Sequence, residues 1–379
     1  MKHYNVLSLF GGIECGRLAM ERAGLPVFNY ASSEVDKYAV KVSSNMWPGI
    51  HHIGDVRGVR VNDLGFIPDI IFAGFPCQGF SFAGKGLNFE DPRSQLFFEF
   101  VRILEECREL NPDVLFLGEN VPMKKEAQVV ISEKLGIHPT RQHGALVSAQ
   151  NRDRLFWTNI KTKNVGLFGE VHSDIPQPKD KGIFMRDILE NEVSDKYLLG
   201  PTAIARIKRS VYSKPKINPE KSGVVTCKNN SGQLSADSGT SLIGCVNDNG
   251  FLKTDINGTP KPNQDKADCF TAGANSGGNH SQMDLIIQRG RGNNKGGVRA
   301  QNGKCPTIGS NSFEQNNHVL KGATVRRLTP MEVCRLFTLP DDYFHKSGKQ
   351  VVSDSQIYRL CGNGWIVDQV AHILTFIKN

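Results

Sequence analysis

The chain has 379 residues, of which 39% are hydrophobic and 22% charged, a composition typical of a globular protein with a large buried core. No apolar run approaches the roughly 20 residues that a membrane helix needs. The first residues, MKHYNVLSLF, are too short and polar for a secretory signal. These features argue against a membrane protein, and we expect a cytoplasmic one.

The net charge of +8 is unevenly distributed. Residues 201–330 hold 18 Lys or Arg against 8 Asp or Glu, a balance of +10, which leaves the rest of the chain near −2. A basic middle segment beside a nearly neutral remainder favours a polyanionic partner. A solvated lysine-rich surface explains the charge about as well.

The cysteines form no CxxC pair, so neither a zinc ribbon nor a disulfide framework is indicated, and we expect no metal site. The nine are Cys15, Cys77, Cys107, Cys227, Cys245, Cys269, Cys305, Cys334 and Cys361.

The first 160 residues alternate short apolar runs with amphipathic stretches. Strands are predicted at Tyr4–Leu9, Val27–Ala31, Asp69–Ala73, Val114–Leu117 and Leu155–Ile160. Helices are predicted at Glu14–Ala23, Asp36–Asn45, Ser94–Glu109 and Lys125–Leu135. This alternation predicts an α/β fold with a doubly wound, mostly parallel sheet.

From about residue 185 to 320 the alternation is lost, and Gly, Asn, Ser and Lys dominate. Three segments, GVVTCKNNSGQLS, DCFTAGANSGGNHS and KCPTIGSNSFEQNNH, each place a Thr shortly before a polar loop. Recurring apolar residues around each Thr favour a small irregular β-rich domain over low complexity. Residues 325–379 return to helical patterning and complete the α/β domain.

The turn in LSLFGGIECG, residues 7–16, lets backbone N–H groups and a helix N-terminus approach a ligand closely. Glu34 follows the second predicted strand, where an acid can accept hydrogen bonds from ribose hydroxyls. Asp55 ends the next β-like segment, in a position to bind an adenine amino group. Each acid alone is more often a surface carboxylate, but the order of the two indicates an adenosine-containing cofactor.

In FAGFPCQGFS, residues 72–81, Cys77 stands after a strand and a proline. A loop near a helix N-terminus would favour the reactive thiolate, whereas a cysteine after an apolar strand is more often an inert buried residue. A zinc deaminase is excluded because it needs PCxxC, and Phe80 stands where the second cysteine would be.

Two further motifs place polar groups after strands. VLFLGENV ends in Glu119 and Asn120, and a carboxyl at the edge of a dry cleft can be held protonated and act as an acid. Alone, this pair would be a helix cap. SAQNRDRLFW alternates Arg152 and Arg154, either as paired surface arginines or aimed at a carbonyl or phosphate.

In order, LFGG, Glu34, FPCQ, ENV, QNRDR, RRLTPMEVCRL and CGNGW resemble the motifs of the cytosine-C5 DNA methyltransferases over nearly the whole chain outside residues 185–320. The catalytic part looks most like the vertebrate de novo branch, and the insert is more similar to bacterial and phage restriction-modification enzymes. Ser8, the Glu14–Cys15 pair and the Gly364–Trp365 pair depart from the family's usual residues.

The resemblance implies an S-adenosylmethionine-dependent methyltransferase fold in residues 1–185 and 322–379, with a target-recognition domain in residues 186–321. A cytosine would be flipped from duplex DNA and attacked at C6 by Cys77, and C5 would take the methyl group of S-adenosyl-L-methionine. Glu119 would bind N3 and N4 and supply a proton at N3, and Arg154 would hold O2. Arg152 and Asn120 complete the implied catalytic set.

The resemblance also implies binding residues. Cofactor contacts would come from Phe10, Gly11, Gly12, Ile13, Glu14, Cys15, Glu34, Val35, Asp55, Val56, Pro76, Leu96, Asn363, Gly364 and Trp365. DNA contacts would come from Gln78, Ser81, Thr307, Arg289, Arg291, Lys295 and Arg299, with Thr307 and the cations at phosphates and one of the cations at a guanine.

Two alternatives stay open: a catalytically silent DNA-binding relative, and an RNA cytosine-C5 methyltransferase. For the DNA methyltransferase itself we expect double-stranded DNA as partner, a restriction endonuclease as a functional partner outside any complex, and a monomer. We expect it to be bacterial or phage-encoded and associated with the nucleoid.

Overall fold

The computed structural model describes residues 2–76, 92–199, 285–288, 297–299, 305–306, 318–321 and 324–377. The chain divides into two compact units, residues 1–183 with 334–379 and residues 184–333. The target-recognition role expected for residues 186–321, and the domain boundaries drawn for it, stay predictions. Within the part of the chain that the structure describes, no helix has the length and apolar character needed to cross a bilayer.

The first unit is built on a seven-stranded sheet. Its strands, together with the short β7 that is not part of it, are β1 Tyr4–Leu9, β2 Val27–Ser33, β3 His51–His52, β4 Ile70–Ala73, β5 Leu115–Asn120, β6 Thr140–His143, β7 Gln150–Asn151 and β8 Asp153–Thr158. The order is β3-β2-β1-β4-β5-β8-β6, without β7. The first five strands in this order run parallel, and β8 pairs antiparallel with both β5 and β6. The predicted doubly wound, mostly parallel sheet is confirmed.

Helices connect the strands of this unit. They are α1 Cys15–Arg22, α2 Lys37–Met46, α3 Pro92–Leu110, α4 Lys125–Leu135, α7 Asp354–Asn363 and α8 Val367–Leu374, whereas α5 Met185–Ile188 belongs to the second unit and α6 Pro330–Leu336 contains residues of both. The first begins one residue later than predicted because Glu14 is left-handed, with φ 62°. Strand β5 is longer than predicted: Glu119 and Asn120 continue it and pair with β8.

Aromatic packing fixes the segment that leads toward Cys77. Phe75, two residues after the end of β4, is buried and lies 5.0 Å from Phe97 and 6.2 Å from Trp157 between ring centroids. Full burial of such a ring stabilises the fold by about 1.5–3 kcal/mol. The backbone at Phe75 is therefore held by the main core of the first unit.

A short hairpin follows the sheet in the chain. Strands β9 Thr162–Val165 and β10 Glu170–Ser173 pair antiparallel. The turn between them leaves Leu167 and Phe168 94% and 91% exposed.

The second unit contains a four-stranded antiparallel sheet in its described part. Its strands are β11 Leu285–Gln288, β12 Gly297–Arg299, β14 His318–Lys321 and β15 Thr324–Arg327, in the order β12-β11-β14-β15, and β13 covers Cys305–Pro306. The predicted β-rich character is confirmed. At its end, the buried Glu332 accepts two hydrogen bonds from Arg326, at 2.8 and 2.7 Å. Strands β16 His345–Lys346 and β17 Lys349–Gln350 form a small hairpin of the first unit.

Candidate active site

A cleft of about 610 Å³ lies in the first unit, where strands β1, β2, β4 and β5 end. This is the edge at which open α/β sheets bind ligands, and the volume lies in the usual range for small-molecule sites. Thirteen of the residues named from the sequence line it: Phe10, Gly12, Glu34, Val35, Asp55, Val56, Pro76, Leu96, Glu119, Asn120, Arg152, Arg154 and Asn363.

The other named residues fall into two groups. Gly11, Ile13, Glu14, Cys15, Gly364 and Trp365 are not among the residues that line the cleft. Cys77, Gln78, Ser81, Arg289, Arg291, Lys295 and Thr307 lie outside the described residues, and Arg299 is described only as backbone of β12. Their expected roles stay predictions.

The turn after β1 brings its backbone to the cleft. Phe10 and Gly12 are left-handed, with φ 57° and 58°. At Gly11 an added Cβ would lie 2.0 Å from Oε1 of Glu14, so only glycine fits there. The Gly12 N–H donates to Oε2 of Glu34 at 2.8 Å. The predicted turn and the acid that follows β2 are thus joined directly.

Glu34 is fixed by three backbone donors. In addition to Gly12, the N–H groups of Val35 and Asp36 donate to Oε1 at 2.8 and 2.7 Å. A carboxylate has about four acceptor positions. Glu34 therefore lies oriented at the cleft wall and retains capacity for a hydroxyl donor.

Glu14 supports this turn from inside the protein. It is fully buried, accepts a hydrogen bond from the Tyr30 hydroxyl at 2.6 Å and another from the Ser32 hydroxyl. Burial raises the pKa of the Glu14 carboxyl. The side chain thus packs beneath Gly11, and a cofactor contact at this residue can involve only its backbone.

Asp55 carries a full negative charge at the cleft. The side-chain hydrogen bond from Arg57 lowers the pKa of Asp55 to about 2. The Asp55 carboxylate also caps the short 3-10 turn at Val56–Gly58 by accepting from the Arg57 N–H at 3.0 Å. The group is an acceptor at neutral pH, as a contact to an amino group requires.

Glu119 and Arg154 form an ion pair inside the cleft. Nε of Arg154 lies 2.7 Å from Oε1 of Glu119, and both side chains are about 10% exposed. The other oxygen, Oε2, accepts from Nε1 of Trp365 at 3.0 Å. Both carboxylate oxygens are therefore held, one by a cation and one by an indole.

Asn120 and Arg152 make contacts to the backbone. The Asn120 amide donates to the carbonyl of Phe75 at 3.2 Å, which ties β5 to the segment before Cys77. Arg152 donates to the carbonyls of Gly364 and Gly362 at 2.8 and 3.3 Å. Arg152 thus holds the backbone at Gly362–Gly364 in place, a contact that was not predicted from the sequence.

A second acid near Glu34 was missed in the sequence. Asp36 lines the cleft, caps α2 by accepting from the Tyr38 N–H at 2.9 Å, and pairs with Arg359. Burial opposes its charge, but the hydrogen bonds from Arg359 and Tyr38 outweigh it and lower the pKa of Asp36. An acid at the first residue of the predicted helix Asp36–Asn45 was the available signal, and in the structure it is the N-cap.

The described cysteines are poor candidates for a nucleophile. Cys15, Cys107, Cys334 and Cys361 are all buried as free thiols. Burial raises the pKa of Cys15 and of Cys107 to about 12, and that of Cys361 well above the ordinary value. None of these three would provide a thiolate at neutral pH.

The comparisons with known proteins agree with the fold. The profile of the C-5 cytosine-specific DNA methylases matches residues 4–130 and 145–379. The chain belongs to this family.

Individual relatives cover the chain to different extents. The type II methyltransferase M1.ScrFI of Lactococcus lactis subsp. cremoris is 34% identical over 209 residues, which are 52% of this chain and 51% of that protein. The chain thus spans about half the length of this relative. The orphan methyltransferase M.SPRI of Bacillus phage SPR is 27% identical over 430 aligned positions, covering 96% of this chain and 94% of that protein.

The solved structures agree on the fold. The crystal structure of the S. pombe Dnmt2 methyltransferase aligns with a TM-score of 0.57 at 16% identity, covering 99% of this chain and 98% of that one. At this identity the likeness concerns the fold alone.

Proposed function

We propose that the protein is a DNA (cytosine-5-)-methyltransferase that uses S-adenosyl-L-methionine. The main support is the Glu119–Arg154 pair, which lies in the same cleft as Glu34 and Gly12, beside the segment that leads through Pro76 to Cys77. Family membership supports the same activity.

Cys77, Glu119 and Arg154 have separate roles in the proposed reaction. The Cys77 thiolate adds to C6 of a flipped cytosine and thereby makes C5 nucleophilic. Glu119 hydrogen-bonds N3 and N4 and supplies the proton at N3, while Arg154 holds O2. Once C5 has taken the methyl group of the cofactor, loss of the C5 proton, return of the N3 proton to Glu119 and release of Cys77 would restore the aromatic ring. Because Arg154 and Trp365 fix both Glu119 oxygens, the acid is oriented before the base arrives.

The cleft suits the cofactor. S-adenosyl-L-methionine supplies the methyl group. Glu34 has acceptor capacity for ribose hydroxyls, Asp55 is ionised and can accept from the adenine amino group, and Phe10 offers a ring at the same wall. Ile13, Cys15 and Gly364 are not among the residues that line the cleft and are assigned here through their backbone only.

Transfer of tritium from labelled S-adenosylmethionine distinguishes the three readings of the sequence. Duplex DNA and tRNA are offered separately at saturating cofactor. We expect label in DNA and none in tRNA. Label only in tRNA would favour the RNA enzyme, and cofactor binding without transfer to either would favour the silent DNA-binding relative.

Glu34→Gln is expected to weaken S-adenosylmethionine binding by about 10- to 100-fold, since hydrogen bonds to a charged group contribute about 1.5–3 kcal/mol. The amide also presents an N–H₂ group toward the backbone donors that hold the carboxylate. Isothermal titration calorimetry measures the affinity, with the exposed Glu133→Gln on α4 as the matched control. Equal affinity in both variants would contradict the assignment.

The second unit, we propose, is the target-recognition part, and its basic residues contact DNA phosphates. A bacterial or phage origin, a monomeric state, a location at the nucleoid and a functionally linked restriction endonuclease complete the proposal. The type II relatives support the last of these. Bisulfite sequencing of DNA from cells that express the protein would identify its target sequence.

A further inference from the structure

A group of three metal-ligating side chains lies apart from the cleft, at the base of the β9–β10 hairpin. His138, Glu170 and His172 each direct one ligand atom into a common space, and these atoms all lie within 4.8 Å of one another. The chain separates His138 from the other two by more than 30 residues, so no sequence motif joins them. None of the three lines the cleft described above.

The backbone brings the three residues together. His138 follows α4 and forms a parallel bridge with His172. The His138 N–H donates to the Val171 carbonyl at 2.8 Å, and the Ser173 N–H donates to the His138 carbonyl at 2.9 Å. Glu170 and His172 are two residues apart on β10 and therefore face the same side of the strand. The arrangement is thus set by backbone hydrogen bonds.

The distances are close to those of a metal site. Oε2 of Glu170 lies 3.7 Å from Nε2 of His138 and 3.8 Å from Nε2 of His172. With metal–ligand bonds of about 2.0–2.1 Å, two ligands on one tetrahedral ion lie about 3.4 Å apart. The two carboxylate–imidazole distances need to shorten by only a few tenths of an ångström, which the exposed Glu170 side chain allows. The stacked imidazole rings must also turn about their side-chain bonds so that both nitrogen lone pairs point at one ion.

One nitrogen lacks the partner that its burial calls for. Nε2 of His172 is shielded from solvent and makes no hydrogen bond to any residue in the described part of the chain. The two imidazole rings are stacked, with centroids 4.4 Å apart and planes 22° apart. Two imidazoles that face one carboxylate, with a buried nitrogen among them, form a donor set suited to a first-row transition metal.

We propose that His138, Glu170 and His172 bind a divalent transition metal, with Zn²⁺ as the best fit. Two histidines and a glutamate form a known zinc donor set that leaves a fourth position for water. The ion would fasten the hairpin to the segment between α4 and β6. It would thereby fix the loop that exposes Leu167 and Phe168.

Zinc titration of the full chain tests the site. Chelator-treated protein is titrated with Zn²⁺ by calorimetry in the presence of a non-thiol reductant. We expect one zinc ion to bind per chain. The zinc affinity should fall by about 10- to 100-fold or more in His138→Ala and in His172→Ala, because loss of a residue that only hydrogen-bonds a metal ligand already lowers metal affinity by that factor. Glu170→Gln keeps the side-chain shape and should also weaken binding. Circular dichroism and cofactor affinity confirm that each variant is folded.

His143→Ala is the matched control, because His143 on β6 also pairs with a carboxylate, that of Asp153, but belongs to no ligand cluster among the residues that the structure describes. Its zinc affinity should equal that of the unchanged protein. Since the chain has nine cysteines, Co²⁺ is used to identify the ligand atoms. Nitrogen and oxygen ligation gives weak visible bands and no thiolate charge-transfer band.

The proposal is overturned by any of three results: a thiolate band that persists in the histidine variants, binding that needs millimolar zinc, or equal affinity in His172→Ala and His143→Ala. A rise in the midpoint of thermal unfolding on zinc addition, lost in Glu170→Gln, would support it further.

Discussion

Cys77→Ser is expected to abolish methyl transfer to DNA, with a loss on the order of 10⁴-fold or more, as for removal of other catalytic nucleophiles. A serine hydroxyl stays protonated at neutral pH and adds far less readily to C6 than a thiolate does. Single-turnover transfer of labelled methyl groups measures the rate. S-adenosylmethionine affinity should not change, because the cofactor residues assigned above remain.

Oligonucleotides that contain 5-fluorocytosine provide a second readout, since the fluorine blocks the elimination that releases the enzyme. The unchanged protein should form a covalent adduct when the cofactor is present, and Cys77→Ser should form none. Cys107→Ala is the matched control, because Cys107 is buried and its pKa is raised to about 12. An adduct in Cys77→Ser, or normal turnover, would refute covalent catalysis by this thiol.

Glu119→Gln should lower the rate of methyl transfer by about 10²- to 10⁴-fold, the usual contribution of a general acid. Glutamine keeps the size of the side chain and can accept a hydrogen bond from Trp365 or Arg154, but it cannot supply a proton at N3. The two Glu119 oxygens accept from Arg154 and Trp365 at 2.7 and 3.0 Å, so glutamine keeps one of these contacts and loses the other. The single-turnover rate at saturating DNA and cofactor is the measurement.

Glu126→Gln is the control for this change, because Glu126 is exposed in the first turn of α4. It removes one carboxylate of the same type and changes none of the residues that line the cleft. If Glu119→Gln retained more than about a tenth of the rate, the carboxyl would serve only to orient Arg154, and general-acid catalysis would be wrong.

The fold of the first unit could be largely predicted because its strands are apolar runs separated by amphipathic helices. Val27–Ala31 and Val114–Leu117 were placed correctly but too short. Their missing ends, Ser33 and Glu119–Asn120, are polar and buried at the edge where the strands reach the cleft. Prediction of a strand from its apolar residues therefore misses the strand's end where that end carries polar functional groups into a site.

The composition of the cleft was predictable from motifs, but its contacts were not. The order of the motifs predicted that Glu34, Glu119 and Arg154 belong to one site, and in the structure all three line one cleft. Trp365, which was expected at the cofactor, also donates to Glu119, and Arg152 donates to the carbonyl of Gly364. Both contacts join residues more than 200 positions apart, and side-chain direction at that separation depends on packing that no local pattern contains.

The position of Glu119 and Arg154 on neighbouring antiparallel strands has a consequence for how the protein can vary. Asn120 pairs with Leu155 and Glu119 with Phe156, so the register of β5 and β8 sets the distance between acid and guanidinium. A slip by one residue would turn each side chain to the opposite face of the sheet. Single-residue insertions inside either strand should therefore be lethal to catalysis, whereas length changes in the segments between them leave this pair unaltered.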